Sequence, residues 1–240
     1  MPPAGRATLE PAVVLHPHLG DPVPPGRVRV DMHMHTMYSG DAVTTLDEVA
    51  ERVESAGIDV LCVTDHNSVK GAVAAVERDV GCRVVIGEEL RTTQGEIIGL
   101  FLNDHVPIGL TPHEAATRIR DQGALVYVPH PFDPMRRPLH PEAIDELVAD
   151  GLVDAFEVFN AKVGLRSLND RAASYAAEHD LAAGAGSDAH DPASLGAAFV
   201  TMPDFDGPQG FLTALREATV TGHHFDRART WSPRVIPRDI

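Results

Sequence analysis

The chain has 240 residues, of which 43% are hydrophobic, and a formal net charge of −15 with histidines neutral. That is enough chain for one α/β domain of barrel size with a real core. The charge excludes a broad phosphate-backbone interface, which needs a basic surface, so long nucleic acid is not an expected partner.

A short or singly phosphorylated ligand stays compatible, because bound cations reverse the sign of the field locally. No apolar run approaches the ~20 residues of a membrane span, so no membrane partner is expected. The first residues lack the charged and then apolar pattern of a secretory signal, and the cytoplasm is the expected compartment. Cys62 and Cys82 sit in apolar runs and read as buried thiols.

Residues 1–26 are rich in Pro, Gly and Ala without a period and read as an irregular arm. His16 and His18 within it are separated by Pro17 and read as exposed loop histidines. A barrel domain is expected over 27–218, followed by an Arg-bearing, irregular tail over 219–240 that packs on it. The first strand, 28–32, runs into DMHMHTMYSGD (31–41). Alternation along a strand puts His33, His35 and Asp31 on one side. Asp41 follows a Ser-Gly turn.

Thr44 or Thr45 caps a helix ending at Gly57. A strand over 58–63 leads to Thr64, Asp65, His66 and Asn67, and a short helix covers 69–78. The strand 83–86 ends in Gly87, Glu88 and Glu89, and 96–102 reads as a fully apolar strand. Thr111 and Pro112 open a helix to about Gln122. The strand 124–128 ends in Pro129, His130 and Pro131. After a helix over 141–149, the strand 153–158 carries Glu157 and Asn160 near its end. An Ala-rich helix over 165–179 precedes the strand 181–185, which ends in Ser187, Asp188, Ala189 and His190. A last strand (197–202) and helix (208–218) close the domain.

Strands alternating with helices predict βαβ units and a parallel sheet, and seven or eight units predict a closed barrel. A barrel keeps its chemistry at the C-terminal ends of its strands. The polar clusters fall there: His33, His35, Asp41, His66, Glu89, His130, Glu157, Asp188 and His190. Imidazoles and carboxylates without thiolates suit Zn, Mn or Fe. The set exceeds the needs of one ion, so two or three ions sharing carboxylates are expected. A hydroxide held between two ions is the natural nucleophile.

The motifs at 31–41, TDHN (64–67), GEE (87–89), PHP (129–131), EVFN (157–160) and SDAH (187–190) resemble, in order, those of the PHP (polymerase and histidinol phosphatase) family. The resemblance implies a distorted (β/α)7 TIM-like barrel and metal-dependent hydrolysis of phosphate esters. It implies that His33, His35, Glu89 and Asp188 hold one divalent ion. Glu89 would bridge to a second ion with His130, and Asp41, His66 and His190 would hold a third. Glu88 is expected at the surface or against a helix. Some members carry a histidine shortly after a Gly-Glu pair in strand four. Here the segment is Gly95, Glu96, Ile97, Ile98, so the second ion is expected to be weakly held, absent, or completed by Glu157 or water, and the count stays open between two and three.

Asp188, His190 and His130 are the expected proton-managing groups. Asp65 is expected to orient His66 or begin a turn, and Asn67 to cap the next helix or touch substrate. Asn160, Lys162 and Arg137, with its neighbour Arg136, are the candidates for contacting phosphate. The expected substrate is a small phosphomonoester or diester, such as a nucleotide or a biosynthetic intermediate. The rival readings are an exonuclease or 3′-phosphatase acting on short oligonucleotides and a non-catalytic metal-binding module. Neither the substrate nor the oligomeric state follows from the residues.

Overall fold

A computed structural model describes residues 21–224. The arm up to residue 20, with His16 and His18, and the tail beyond residue 224 lie outside the described residues. One nine-stranded sheet runs in the order β7-β6-β5-β4-β3-β2-β1-β8-β9. The strands are β1 (Arg27–Met34), β2 (Val60–Val63), β3 (Arg83–Thr92), β4 (Gly95–Leu100), β5 (Leu125–Val128), β6 (Ala155–Asn160), β7 (Ala182–Gly186), β8 (Ala198–Pro203) and β9 (Thr219–Gly222). The helices are α1 (Leu46–Ala56), α2 (Lys70–Arg78), α3 (Pro112–Arg120), α4 (Pro141–Ala149), α5 (Arg166–Glu178) and α6 (Gly207–Leu215).

The helix ends have local causes. Thr45 and Glu48 form a capping box at the start of α1, and Gly57, in the left-handed region at φ 61°, closes it. Thr111 and Glu114 do the same for α3, with Pro112 in its first turn. Asn67 caps nothing: its Oδ1 accepts from Arg91 N at 2.9 Å and ties the TDHN loop to β3.

The expected all-parallel sheet is corrected. β1, β2 and β3 are parallel, as are β5, β6 and β7, but β4 runs antiparallel to both its neighbours. β8 and β9 are antiparallel as well, so the first residues of the expected irregular tail form a strand. The physical reason for β4 is its short connection. Only Thr93 and Gln94 separate it from β3, too few for a crossover, and so few allow only a hairpin. Pairing with β4 carries β3 past its expected end, through Glu88 and Glu89 to Thr92.

The sheet curls until β7 meets β1, giving a nearly closed barrel. Asp188 N donates to His33 O at 2.7 Å, and His35 N to Ala189 O at 2.9 Å. A side chain at Gly186 would stand 2.3 Å from His33 Cβ, so this seam requires glycine. Inside the barrel, Val30, Cys62, Val85, Ile98, Leu100 and Tyr127 pack together, capped by Phe211 of α6. Outside it, α3, α4 and α5 cover one arc, while α1 and α2 cover the other.

Candidate metal centre

Side chains from β1, β3 and the loops after β2, β5 and β7 converge at one end of this barrel. His33 and His35 leave β1 where its register against β2 shifts, between Asp31 and Met34. Such an irregularity re-aims side chains. The two rings face each other with Nε2 atoms 3.1 Å apart. Glu89 Oε2 lies 3.6 Å from His33 Nε2 and 3.3 Å from His35 Nε2. Asp188 Oδ1 lies 3.8 and 3.5 Å from the same two atoms.

On one side of this group, Asp41 Oδ2 stands 3.3 Å from His66 Nε2 and 3.5 Å from His190 Nε2. His66 Nδ1 is 3.0 Å from Glu89 Oε2 but lacks the alignment of a hydrogen bond. On the other side, Glu89 Oε1 is 2.8 Å from His130 Nε2. All eight residues expected to ligate are therefore brought together, with Glu89 in the middle. His130 and Asp188 both adopt positive φ, 29° and 49°, which non-glycine residues hold only where their surroundings demand it.

The residues behind them fix their directions. Asp65 accepts from Thr36 N (2.7 Å), Thr36 Oγ1 (2.7 Å) and Ser39 Oγ (2.9 Å). Ser39 Oγ in turn contacts His35 Nδ1 at 2.9 Å and accepts from His66 N at 2.9 Å. Asp65 thus steers His35 through Ser39, and does not touch the His66 ring as expected. Glu157 is fully buried beneath the cluster: Oε1 is 3.2 Å from His33 Nδ1, and Oε2 accepts from His130 N at 2.6 Å. With both oxygens engaged, it supports two of the expected ligands from behind and is not the group that would complete the second site. Asp31 accepts from three backbone amides, those of His33, Ser187 and Gly196, and pins the seam of the barrel.

Asn160, expected to meet phosphate, is buried. It spends its amide on Glu157 Oε2 at 3.0 Å and Asp188 Oδ2 at 3.2 Å. Lys162 and Arg137 line the cleft above the cluster, which has a volume of about 780 Å³. Lys162 Nζ is 3.6 Å from Asp191 Oδ2. Arg136 reaches deeper than Arg137, and its guanidinium pairs with Asp188. Glu88 faces outward but is not at the surface. It is buried, bonded to His105 Nδ1 at 2.8 Å and to Val106 N at 3.1 Å.

Glu96 is a further group at this site that lies outside the sequence motifs. It is 4% exposed, and its carboxylate lies within 4.8 Å of ligand atoms of both Glu89 and His130. The available signal was strand alternation. Glu96 shares a face with Ile98, and Ile98 pairs directly with Glu89.

The electrostatics are those of a polyvalent cation site without its charge. Burial opposes ionisation of Asp188, but Arg136, His33 and His190 hold its pKa well below the ordinary carboxylate value. Burial is likewise outweighed at Glu89, where His33, His130 and His35 push it down. His33 is raised, with Asp188, Glu157 and Glu89 overcoming burial. His35, a ring's width away, is driven to about 3 by burial and by His190. His66 is raised to about 11, burial being overcome by Asp41 and Glu89. Burial and the neighbouring Glu89 push the Glu96 carboxyl up to about 7. Facing lone pairs and opposed proton affinities in adjacent rings fit a shared cation, which satisfies all these donors at once.

Comparison with known proteins agrees with this chemistry. The family model for the PHP domain matches residues 31–131, and that for the PHP-associated region matches residues 166–220. An uncharacterized protein of Methanocaldococcus jannaschii, MJ0417, is 33% identical over 201 residues, 80% of this chain and 81% of that protein. A two-domain protein of Bacteroides vulgatus, described as containing a predicted PHP-like metal-dependent phosphoesterase, superposes with a TM-score of 0.68 at 20% identity. The match covers 88% of this chain and 69% of the other. A lesion-specific endonuclease of Pyrococcus furiosus superposes at 0.61 and 18% identity, covering 81% of this chain and 57% of the other. At such identities these two structures establish the fold alone. Among the described residues, no helix is long and apolar enough to cross a membrane. With its motifs in family order, its nearly closed barrel and its converging histidines and carboxylates, the chain belongs to the PHP family of metal-dependent phosphoesterases.

Proposed function

We propose that this protein hydrolyses a small phosphate ester, a nucleotide or a biosynthetic phosphomonoester, with two or three divalent ions (Mn, Fe or Zn) at the barrel rim. One observation carries the reading: Glu89 stands between two groups of imidazoles, with His33 and His35 turning their Nε2 atoms toward one point. His33, His35, Glu89 and Asp188 would hold one ion, Asp41, His66 and His190 another. Bound there, the ions supply an acidified water and neutralise the charge on phosphorus-bound oxygens.

The remaining work falls to the chain. Asp188 splits its two oxygens: Oδ1 faces the His33–His35 pair, while Oδ2 meets Asn160 and Arg136. In this reading Asp188 both binds metal and manages a proton as water attacks, with Asn160 fixing its direction. Arg136 is cationic, partly exposed in the cleft and linked to Asp188 by a contact that an incoming phosphate oxygen would replace. His190 and His130 flank the cluster on opposite sides, and whichever of the two is not committed to an ion would protonate the leaving oxygen. Lys162 and Arg137 extend the cationic wall outward.

The test is a panel of phosphomonoesters and nucleotides assayed with Mn, Fe and Zn, alongside Asp188→Asn. Turnover of a small ester that the variant loses while folding normally is expected. An Asp188→Asn variant with full activity would overturn the assignment. The second reading, cleavage of short oligonucleotides, has support in the wide cleft and its four cationic residues, Arg91, Arg136, Arg137 and Lys162. Salt-insensitive cleavage of a dinucleotide in preference to mononucleotides would favour it.

A further inference from the structure

The β3–β4 hairpin builds something the motif order does not contain. Glu89 pairs across the hairpin with Ile98, and Glu96 sits two residues before Ile98 on the same face. Cross-strand diagonal neighbours are within reach of long side chains. Glu96 uses that reach: its carboxylate joins Glu89 and His130 in one group of potential ligand atoms, all within 4.8 Å of one another.

Two observations separate this group from a mere acidic cluster. Glu96 is 4% exposed, and its carboxylate has a long ion pair with Arg91 directly across the hairpin, 3.7 Å from Oε1. Among the described residues, His130 Nδ1 is buried and has no hydrogen-bond partner. A buried carboxylate collects donors or a cation, because its charge is costly to take out of water. Both side chains line the cleft and point at the space beside Glu89.

We propose that Glu96 is a metal ligand, and that with Glu89 and His130 it completes a separate site for a hard divalent cation, bringing the cluster to three ions. The inference rests on the phosphoesterase reading above for the other two ions. Two carboxylates and one imidazole make a harder donor set than the histidine-rich remainder.

The experiment strips the full chain with chelator, restores it with manganese, and counts ions per chain by elemental analysis. The wild type is expected to bind three ions, Glu96→Gln two, and Glu88→Gln, which alters the carboxylate on the other strand face, three. Should Glu96→Gln fail to fold, Glu96→Ala is read instead, with two ions expected. A Glu96→Gln or Glu96→Ala variant with the wild-type count, or a wild type that binds only two ions, overturns the proposal. A wild type that binds two ions and hydrolyses phosphate esters removes this inference alone. A chain that binds none removes the phosphoesterase reading too.

Discussion

The ends of β2, β5 and β7 and the β3–β4 hairpin reach the same site by different routes. Where those three parallel strands stop, their connections begin, and the polar residues sit just past the last apolar ones: His66 after β2, His130 after β5, Asp188 and His190 after β7. In the antiparallel hairpin, Glu89 and Glu96 lie inside strands, as His33 does in β1, and alternation decides what enters the site. Neighbours in sequence therefore part company there. Glu89 enters the cluster, while Glu88 turns outward to His105. After β2, β5 and β7 the end of an element marks the site, and in the hairpin only the face does.

The sharpest way to break this comparison is at Glu89. Because it contacts both histidine groups, Glu89→Gln is expected to lower phosphoesterase turnover by on the order of 10³-fold or more, with loss of bound metal. Elemental analysis and turnover number check this together. A variant retaining both metal and rate would show that the hairpin face does not build the site.

The next effect arises away from the ligands. Gly71 opens α2 against the Asp65 carboxylate, and a Cβ there would fall 1.8 Å from Asp65 Oδ2 and 2.5 Å from Thr36 Oγ1. Gly71→Ala must push Asp65 off Thr36 and Ser39, and so loosen His35. Disturbing a group that orients a ligand typically costs ~10–100-fold in metal affinity or activity. The expected result is weaker metal binding with the fold intact, read by metal titration and circular dichroism. Unchanged affinity would mean that the chain Asp65–Ser39–His35 does not set the ring.

These cases also mark what the sequence made legible. His33 and His35 could be placed by strand alternation, His66, His130 and His190 because each lies just past an apolar run, and the helical crossovers were plain from caps such as Thr45 and Thr111. The antiparallel course of β4 was hidden by treating 83–86 and 96–102 as two strands of a regular alternation. The two-residue gap between the real strands emerges only once β3 is extended through charged residues. Glu96 was hidden for the same reason, since its role depends on which residue lies across the hairpin. Asp65 looked like a partner for its neighbour His66. Its actual contacts, Thr36 and Ser39, come from a loop nearly thirty residues earlier, and no local pattern encodes that.

Acidity should sharpen the contrast between metal-free and loaded protein. With His66 raised to about 11 in the metal-free chain, its pairing with Asp41 and Glu89 contributes stability that is fully present below about pH 6.5. That contribution is lost as pH rises through about 11. The chelated protein is therefore expected to melt at progressively lower temperature from neutral to alkaline pH. Metal competes with the same proton, so apparent metal affinity should rise over that range, by ~10-fold per pH unit for each proton displaced. Calorimetry in buffers of different ionisation enthalpy would count the protons released. A melting temperature of the chelated protein that climbs with pH would contradict the assignment of charge to His66.

The smallest effect is expected next door to the largest. Glu88 is as buried as Glu89, but its oxygens are occupied by His105 Nδ1 and Val106 N, both in the loop that follows β4. Glu88→Gln keeps the shape and one acceptor, losing the charge-assisted half of the contact with His105. A hydrogen bond to a charged group contributes roughly 1.5–3 kcal/mol, and the half-exposed His105 puts this one at the lower end. Chemical denaturation should therefore show a loss of about 1.5 kcal/mol, while metal content and turnover stay at wild-type values. A large fall in turnover for Glu88→Gln would mean that the two faces of β3 are not insulated from one another. The division of labour between Glu88 and Glu89, on which the reading of the hairpin depends, would then have to be abandoned.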